Sequence, residues 1–209
     1  MAWYDTFSSF YDASLERLYA EHRQLAAAAL QLDPAARVLD IPCGTGQSFA
    51  ALSAQLGPEG RVLGVDASQG MLNKAQARVA REQLSHVHVL HANAAQLERA
   101  AIGGSMGAPA TPITHLHVFL GMSVFREMEQ TFEHLWNLLD PGGRCVLVDV
   151  HAARLGAQGW LVNQIAGADI RRRFWEPLEK RAVQFERRDL PYNRQHGGQI
   201  MLAVGVKPQ

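Results

Sequence analysis

The sequence has little cysteine, no excess of charge of either sign and no long apolar run. Its two cysteines, Cys43 and Cys145, are too few for a disulfide scaffold and do not favour a cysteine metal site. The 20 basic side chains are balanced by 20 acidic ones, which argues against a general nucleic-acid binder, because affinity for phosphates needs excess positive charge. The strongest apolar run, at 116–125, is too short to cross a bilayer, which takes about 20 residues.

The N-terminal sequence MAWYDTFSSFYDASLERLY has no basic start followed by an apolar core. We therefore expect no secretion signal and a cytoplasmic location. Apolar residues make up 47% and charged residues 19% of the 209 residues, as is usual for a globular domain with a sizeable core. No linker or repeat divides the chain, so we predict a single domain over residues 1–209.

Strand-like and helix-like segments alternate along most of the chain. Apolar segments predict strands, and helical periodicity predicts helices, in this order: strand 37–41, helix 46–56, strand 61–66, helix 69–84, strand 86–92, strand 114–120, helix 126–139 and strand 144–150, preceded by a helix at 12–32. The segment 101–112 contains glycine and proline and predicts a loop. Alternating strands and helices predict an α/β fold with a doubly wound, mostly parallel sheet. AVQFERRDL and QIMLAVGV add two strands as a C-terminal antiparallel hairpin, giving seven strands.

The segment RVLDIPCGTGQSF places Gly44 and Gly46 directly after the first predicted strand. Doubly wound sheets bind ligands there, and glycine lets the backbone approach a ligand closely. A dinucleotide loop reads G-x-G-x-x-G, but Phe49 stands at the third glycine position and fills the space a pyrophosphate needs. The GK[ST] of a P-loop is also missing. The loop therefore favours a nucleoside that carries a carboxylate.

Asp66 ends the second predicted strand, about twenty residues beyond Gly46. A carboxylate at this position can accept hydrogen bonds from both hydroxyls of a ribose. In the competing interpretation, Asp66 only caps the helix that begins near Ser68. We prefer ribose binding.

Four segments in order resemble class I S-adenosylmethionine-dependent methyltransferases: VLDIPCGTG, VLGVDASQGMLNKA, HANAAQL and LLDPGGRCVLVDV. With the terminal hairpin, the resemblance covers about residues 12 to 206. FYD at 10–12 and FWEPLE at 174–179 are most similar to the ubiquinone/menaquinone C-methyltransferases and the phosphatidylethanolamine N-methyltransferases. The resemblance implies a Rossmann-like class I methyltransferase fold, with residues 1–33 as a helical cap over the cofactor and 34–209 as the core.

The same resemblance implies S-adenosyl-L-methionine as cofactor and S-adenosyl-L-homocysteine as product. The acceptor is then a small or lipid-like molecule that reacts through nitrogen, oxygen or carbon, without nucleic acid and with peripheral membrane contact left open. The implied cofactor-binding residues are Tyr11 over the methionine carboxylate, Asp40, Pro42, Cys43, Gly44, Thr45 and Gly46 at the methionine end, Asp66 at the ribose, Ala67 and Met71 beside the adenine, Asn93 and Ala94 at its edge, and Leu120 beneath the cofactor.

Two of these residues depart from the usual pattern of the family. Asn93 stands where an aspartate is usual, and its side-chain oxygen can still accept a hydrogen bond from the adenine amino group. Pro42 replaces a more usual glycine and has no N–H to donate to a ligand. We expect cofactor binding to survive the change at Asn93 with altered strength.

Methyl transfer from a sulfonium is an in-line displacement, in which the enzyme aligns the acceptor and excludes water. A general base is needed only where the acceptor has to lose a proton. Asp149 and His151, in VDVHAA, are the candidate catalytic residues because they lie at the carboxyl end of a strand. Histidine titrates near neutral pH, which suits a base. In the competing interpretation His151 is an exposed loop residue without a catalytic role.

Five further histidines favour structural roles. His115 and His117 alternate with apolar residues in the fourth predicted strand, so we expect them to be hydrogen-bonded core or strand-end residues. His86, His88 and His91 indicate a metal site only weakly, and we predict none.

Two further groups of residues are candidates for binding the acceptor. Met122, Phe125 and Trp160 either line an apolar acceptor pocket or pack in the core. The run Arg171–Arg173 binds an acceptor phosphate or an anionic membrane surface, or forms a solvated helix face, which we favour.

Two other functions remain open. A nicotinamide-dependent oxidoreductase is disfavoured by Phe49 and by the lack of a Tyr-x-x-x-Lys pair. A non-catalytic module that binds the cofactor and acts through a partner would bind it without turning over any acceptor.

Overall fold

The computed structural model describes residues 16–106 and 112–209, and those ranges contain seven strands. The strands are β1 (Arg37–Asp40), β2 (Arg61–Asp66), β3 (Val87–His91), β4 (His115–Phe119), β5 (Arg144–His151), β6 (Val183–Asp189) and β7 (Gln199–Val206). The helices are α1 (Ala20–Leu30), α2 (Phe49–Ser53), α3 (Gln69–Arg81), α4 (Arg99–Met106), α5 (Met128–Leu138), α6 (Ala157–Ala166) and α7 (Glu176–Glu179), with 3-10 turns at Ala94–Gln96 and Arg194–His196.

All seven strands form one sheet in the order β3-β2-β1-β4-β5-β7-β6. β1 to β5 are mutually parallel, and β7 runs antiparallel between β5 and β6. This confirms the α/β fold with a doubly wound, mostly parallel sheet and a C-terminal antiparallel hairpin. The chain winds outward from β1 to β3 and then returns to β4, so the strand order reverses between β1 and β4. Ligands of such sheets bind beyond the carboxyl ends of the strands at this reversal.

The sheet separates two apolar cores because successive side chains of a strand point to opposite faces. One core receives Leu39, Leu63, Leu116 and Leu147 from the strands and is covered by α4, α5 and α7. The opposite core receives Val38, Val62, Val146 and Val148 and is covered by α1, α2 and α3. Helices on both faces explain why the strands read as nearly continuous apolar runs.

The predicted loop at 101–112 is wrong for its first half, where the structure has α4. Ile102 and Met106 lie one helical turn apart and are both buried against the sheet. This burial outweighs the low helix propensity of Gly103 and Gly104. Residues 107–111 lie outside the described part of the chain.

In the described part of the chain, no helix combines the length and the apolarity that a bilayer crossing would need.

Candidate functional site

The glycine loop follows β1 and is fixed by backbone hydrogen bonds. The Cys43 N–H donates to the Val65 carbonyl oxygen at 2.9 Å, which ties the loop to β2. Gly44 and Gly46 have φ of +55° and +75°, values that side chains with a Cβ adopt rarely. A Cβ on Gly44 would meet no atom within 4 Å, so the backbone there is open to an approaching ligand.

The Phe49 ring lies beneath this loop, fully buried. A Cβ on Gly46 would lie 2.4 Å from the ring, and so would a Cβ on Gly64 in β2. The ring therefore fills the space between the loop and the strand, as expected where Phe49 replaces the third glycine. The sequence analysis did not predict that the Phe49 ring packs against Gly64, although a glycine inside an apolar strand is a signal of close packing.

Asp66 joins the glycine loop to the start of α3. Its Oδ2 accepts the Gly44 N–H at 2.9 Å and its Oδ1 accepts the Ser68 N–H at 2.8 Å. Burial raises the pKa of Asp66, and the hydrogen bonds from Ser68 and Gly44 oppose that rise. The N-cap of α3 is Ser68, whose Oγ accepts the Met71 N–H at 3.3 Å. Each Asp66 oxygen keeps a second lone pair for a further donor.

The carboxylate at the carboxyl end of β1 is paired with a histidine in the middle of β4. Asp40 Oδ1 lies 2.7 Å from His117 Nδ1, and both side chains are almost completely buried. Asp40 Oδ2 and His117 Nε2 have no hydrogen-bond partner among the described residues. His117 stacks on Phe119, and His115 Nδ1 lies 2.8 Å from Thr114 Oγ1. The predicted structural roles of His115 and His117 are confirmed.

Two buried arginines link the glycine loop to the helices on one face of the sheet. Arg23 of α1 donates to the Gln47 side chain and lies 5.1 Å from the centre of the Phe119 ring. Burial lowers the pKa of Arg23 to about 10. Arg78 of α3 donates through Nε to the Thr45 carbonyl oxygen at 3.1 Å and pairs with Glu16 at 2.9 Å.

Sequence reasoning missed both arginines, although each interrupts an apolar stripe. Arg78 continues the buried positions Leu72 and Ala75 of α3, and Arg23 lies between Tyr19 and Ala26 on the buried side of α1. A charged residue on the buried face of an amphipathic helix is a signal that its charge has a specific partner.

Of the four residues predicted beside the adenine, Ala67 follows β2, Asn93 and Ala94 follow the neighbouring strand β3, and Met71 lies in the first turn of α3. The Ala67 carbonyl oxygen lies 2.9 Å from His91 Nε2, and the Ala92 N–H donates to the Asp66 carbonyl oxygen. Asn93 Oδ1 accepts the Ala95 N–H at 2.9 Å and so caps a 3-10 turn. Ala94 is buried and Met71 is half-buried.

Leu120 ends β4 beside the glycine loop and has φ of +54°. Its N–H donates to the Val148 carbonyl oxygen at 2.7 Å. A Cβ on the next residue, Gly121, would lie 2.3 Å from the Pro42 ring, so Pro42 packs directly on this turn. The Ile41–Pro42 peptide bond is cis.

Asp149 and His151 lie at the carboxyl end of β5 but point into different environments. Asp149 is buried and accepts the N–H and the hydroxyl of Ser123 at 2.8 and 2.9 Å, which fixes the turn after β4. Burial raises the pKa of Asp149 to about 6, against the hydrogen bonds from Ser123 and Val150. His151 is half-buried, donates from Nδ1 to the Arg172 carbonyl oxygen at 3.2 Å and packs edge-on against Trp175. His151 therefore belongs to the end of a strand, with its orientation fixed by the segment after α6.

The three apolar residues predicted near an acceptor lie in different environments. Met122 is fully buried in the core, Phe125 is half-buried, and Trp160 of α6 is 57% exposed. Arg171 and Arg173 are exposed and pair with Asp169 and Glu176, respectively.

Two predicted features remain. Tyr11 lies outside the described residues. Within residues 16–106 and 112–209, no three side chains of histidine, cysteine, aspartate or glutamate are grouped as metal ligands.

The chain is similar to several known proteins, of which three follow. A demethylmenaquinone methyltransferase of Listeria monocytogenes serotype 4a (strain HCC23) is 24% identical over 144 residues, which are 69% of this chain and 56% of that protein. The geranyl diphosphate C-methyltransferase of Streptomyces coelicolor A3(2), solved with Mg²⁺, geranyl-S-thiolodiphosphate and S-adenosyl-L-homocysteine, matches with a TM-score of 0.71 and 16% identity over 91% of this chain and 77% of that one. The N-methyltransferase NodS of Bradyrhizobium japonicum WM9 matches with a TM-score of 0.69 and 16% identity over 92% and 98%.

The curated relative is matched over little more than half of its own length, and the two solved structures share the fold. The family model described as the methyltransferase domain matches residues 38–143, which run from β1 through the glycine loop and Asp66 to the turn before β5. These residues make up half of the sequence, and the chain therefore belongs to the methyltransferase domain family.

Proposed function

We propose that the protein transfers a methyl group from S-adenosyl-L-methionine to a small or lipid-like acceptor. The observation that carries this proposal is the buried Phe49 ring beneath the glycine loop, beside an Asp66 carboxylate that keeps lone pairs for a ribose. The ring stands in place of the third glycine of a dinucleotide loop, which allows close helix–strand packing, so the loop departs from that fingerprint and this supports a mononucleoside over a dinucleotide. A nicotinamide-dependent oxidoreductase is correspondingly disfavoured.

The residues around the loop fit the other end of this cofactor. Asp40 Oδ2 is a buried carboxylate oxygen without a partner in the described ranges, and a buried acceptor of this kind is costly unless a donor reaches it. The ammonium group of the methionine end is such a donor. The backbone of 42–46 then faces the methionine end, with open space at Gly44.

The remaining contacts with the cofactor are proposed from the resemblance to methyltransferases. Asp66 holds the ribose, while Ala67, Met71, Asn93 and Ala94 surround the adenine. Leu120 lies beneath the cofactor and Tyr11 closes over its carboxylate, with residues 1–33 as a cap on a single domain. Because Asn93 Oδ1 already accepts the Ala95 N–H, its second lone pair is the one left for the adenine amino group.

The cofactor supplies an electrophilic methyl group on a sulfonium. The protein's task is to align the acceptor with that group and to exclude water. Such positioning can lower the activation barrier by about 7–11 kcal/mol. The Pro42–Gly121 contact and the Asp149–Ser123 hydrogen bonds hold the turn after β4 rigid at this position.

His151 is the better placed of the two proposed bases. Its Nδ1 donates to the Arg172 carbonyl oxygen, which leaves Nε2 as the basic nitrogen. Asp149 has a pKa near neutrality, about 6, but its oxygens already accept hydrogen bonds from Ser123 and Val150. We therefore assign the role of general base to His151 where the acceptor must lose a proton. Asp149 then has a positioning role.

The acceptor is proposed by chemical class. A curated relative is a demethylmenaquinone methyltransferase and a structural neighbour is a geranyl diphosphate C-methyltransferase. Both names support an acceptor with an isoprenoid or similarly lipid-like part. Nitrogen, oxygen and carbon nucleophiles all remain compatible with this site, and a cytoplasmic location remains a prediction.

The proposal is tested by calorimetric titration with S-adenosyl-L-methionine and S-adenosyl-L-homocysteine, with NADH and NADPH as controls. We expect binding in the micromolar range for the two sulfur nucleosides only. Binding of NADH or NADPH would overturn the role given to Phe49. Binding of the sulfur nucleosides without turnover of any quinol, prenyl or amine acceptor would support a non-catalytic module.

A further inference from the structure

α6 presents an outer face without charge. None of its ten residues is charged. Gly159 is buried against the turn between β6 and β7, where a Cβ would lie 2.8 Å from the Gly197 carbonyl oxygen. The exposed positions Ala157, Trp160, Leu161 and Gln164 follow helical spacing on one side, and we call them the outer ridge.

The outer ridge exposes two large apolar side chains. Trp160 is 57% and Leu161 43% exposed. Tyr192, 60% exposed, lies in the turn that contacts α6 through the Gln158 side chain and the Gln195 carbonyl oxygen. A group of exposed large apolar residues marks an interaction site more often than isolated ones do.

α6 lies at the same edge of the sheet as the proposed active site. It is the next helix after β5. The Ala152 N–H donates to the Ile170 carbonyl oxygen at 2.9 Å, so the two ends of the segment 152–170 that contains α6 lie together. His151 contacts Arg172, just beyond this segment. A surface that docks through the outer ridge therefore lies next to the carboxyl end of β5.

Arginines outnumber carboxylates in the segments of the chain that adjoin α6. Segments 152–176 and 190–198 contain five arginines and only two carboxylates, in a chain whose total charge is balanced. The arginines are Arg154, Arg171, Arg172, Arg173 and Arg194, and the carboxylates are Asp169 and Glu176. The Arg171 and Arg173 side chains are each 60% exposed.

We propose that the outer ridge and Tyr192 dock on the surface of an anionic lipid bilayer. Tryptophan and tyrosine favour the membrane–water interface, and an apolar helix face flanked by arginine binds anionic headgroups. A symmetric contact between two copies would place the ridge against itself and bring like-charged arginines together. Charge complementarity therefore selects the bilayer as the occupant.

The test is flotation of the full chain with vesicles of phosphatidylcholine alone and of phosphatidylcholine with about one third phosphatidylserine, without cofactor. We expect binding to the anionic vesicles only. The double variant Trp160→Ser with Leu161→Ser should reduce that binding by at least about tenfold. Arg171→Gln with Arg173→Gln should weaken it as well and should lower its sensitivity to salt.

Val183→Ser is the matched control. Val183 is 47% exposed at the start of β6 and pairs with the end of β7. It therefore lies at the end of the strands opposite to the proposed active site. Its loss should leave vesicle binding unchanged. Equal vesicle binding by the wild type and the Trp160–Leu161 double variant, or none by the wild type, would overturn the proposal.

Sedimentation without vesicles addresses the alternative occupant. A dimer that the Trp160–Leu161 double variant dissociates would assign the ridge to self-association and would overturn membrane docking. Because vesicle binding is measured without cofactor, its failure is distinguishable from failure of the calorimetric test of the methyltransferase proposal.

Discussion

The two ends of the proposed active site are built in different ways. On the cofactor side, the loop after β1 is joined to β2 by hydrogen bonds from the Cys43 N–H to the Val65 carbonyl oxygen and from the Gly44 N–H to the Asp66 carboxylate. On the acceptor side, His151 is oriented by contacts with Arg172 and Trp175, more than twenty residues further along the chain. Both sets of contacts span about twenty residues, but the first follows from the regular pairing of β1 with β2, whereas the second depends on how a segment outside the sheet folds back.

The largest effects that sharpen this comparison concern two buried groups that titrate in opposite directions. Burial raises the pKa of Asp149 to about 6 from 3.8. The folded protein then binds more protons than the unfolded chain between these values, so this group lowers stability as pH rises. Asp149→Asn should remove a loss of about 3 kcal/mol in the free energy of unfolding between about pH 3 and 7. Urea unfolding at several pH values measures it.

His115 should show the opposite sign. Burial lowers its pKa to about 4 from 6.5, so the unfolded chain binds more protons and stability rises as pH increases. His115→Gln should remove a gain of about 3 kcal/mol between pH 4 and 6.5. If the slope of the free energy of unfolding against pH changed in the same direction in both variants, these assignments would be contradicted.

On the acceptor side, His151→Ala should lower the turnover of an identified acceptor by about 100-fold where that acceptor must lose a proton. Calorimetric binding of S-adenosyl-L-methionine should remain unchanged, because His151 lies on β5 and contacts Arg172 and Trp175. An acceptor amine that is already neutral should be methylated at nearly the wild-type rate. Intact turnover of every acceptor by the variant would remove His151 as the base.

On the cofactor side, Gly64→Ala should lower the free energy of unfolding by about 2 kcal/mol, because the new Cβ meets the buried Phe49 ring. That Cβ would lie 2.4 Å from the ring. Gly104→Ala in α4 is the control, since its Cβ would meet nothing within 4 Å, and it should be neutral or stabilising. Thermal unfolding compares the two variants, and a Gly64→Ala variant as stable as the Gly104→Ala control would show that the Phe49 ring moves to accommodate the new Cβ.

The smallest effect separates the two interpretations of Asp66. Asp66→Ala should weaken binding of S-adenosyl-L-methionine by more than about tenfold, through loss of hydrogen bonds to a charged acceptor. Ser68→Ala should leave affinity within about twofold and lower stability by about 1 kcal/mol, because it removes only the cap of α3. Calorimetry and urea unfolding distinguish them, and unchanged affinity in Asp66→Ala would exclude that carboxylate from a ribose site.

The sequence predicted the fold well because apolar periodicity and glycine placement act locally. The order of strands, the hairpin and the space filled by Phe49 followed from patterns of a few residues. α4 was missed because burial of Ile102 and Met106 overrides two glycines, and only tertiary packing supplies that burial. The pairing of Asp40 with His117 was missed because it joins positions 77 apart in sequence.

Arg23 and Arg78 have a consequence for how binding is transmitted through the molecule. Both arginines connect the glycine loop to a helix, Arg23 through Gln47 and Arg78 through Thr45. A ligand whose affinity depends on the geometry of this loop therefore also depends on α1 and α3, and by thermodynamic reciprocity its binding stabilises the contacts of both helices with the loop. The stability of α1 and α3 is in this sense coupled to occupation of the loop.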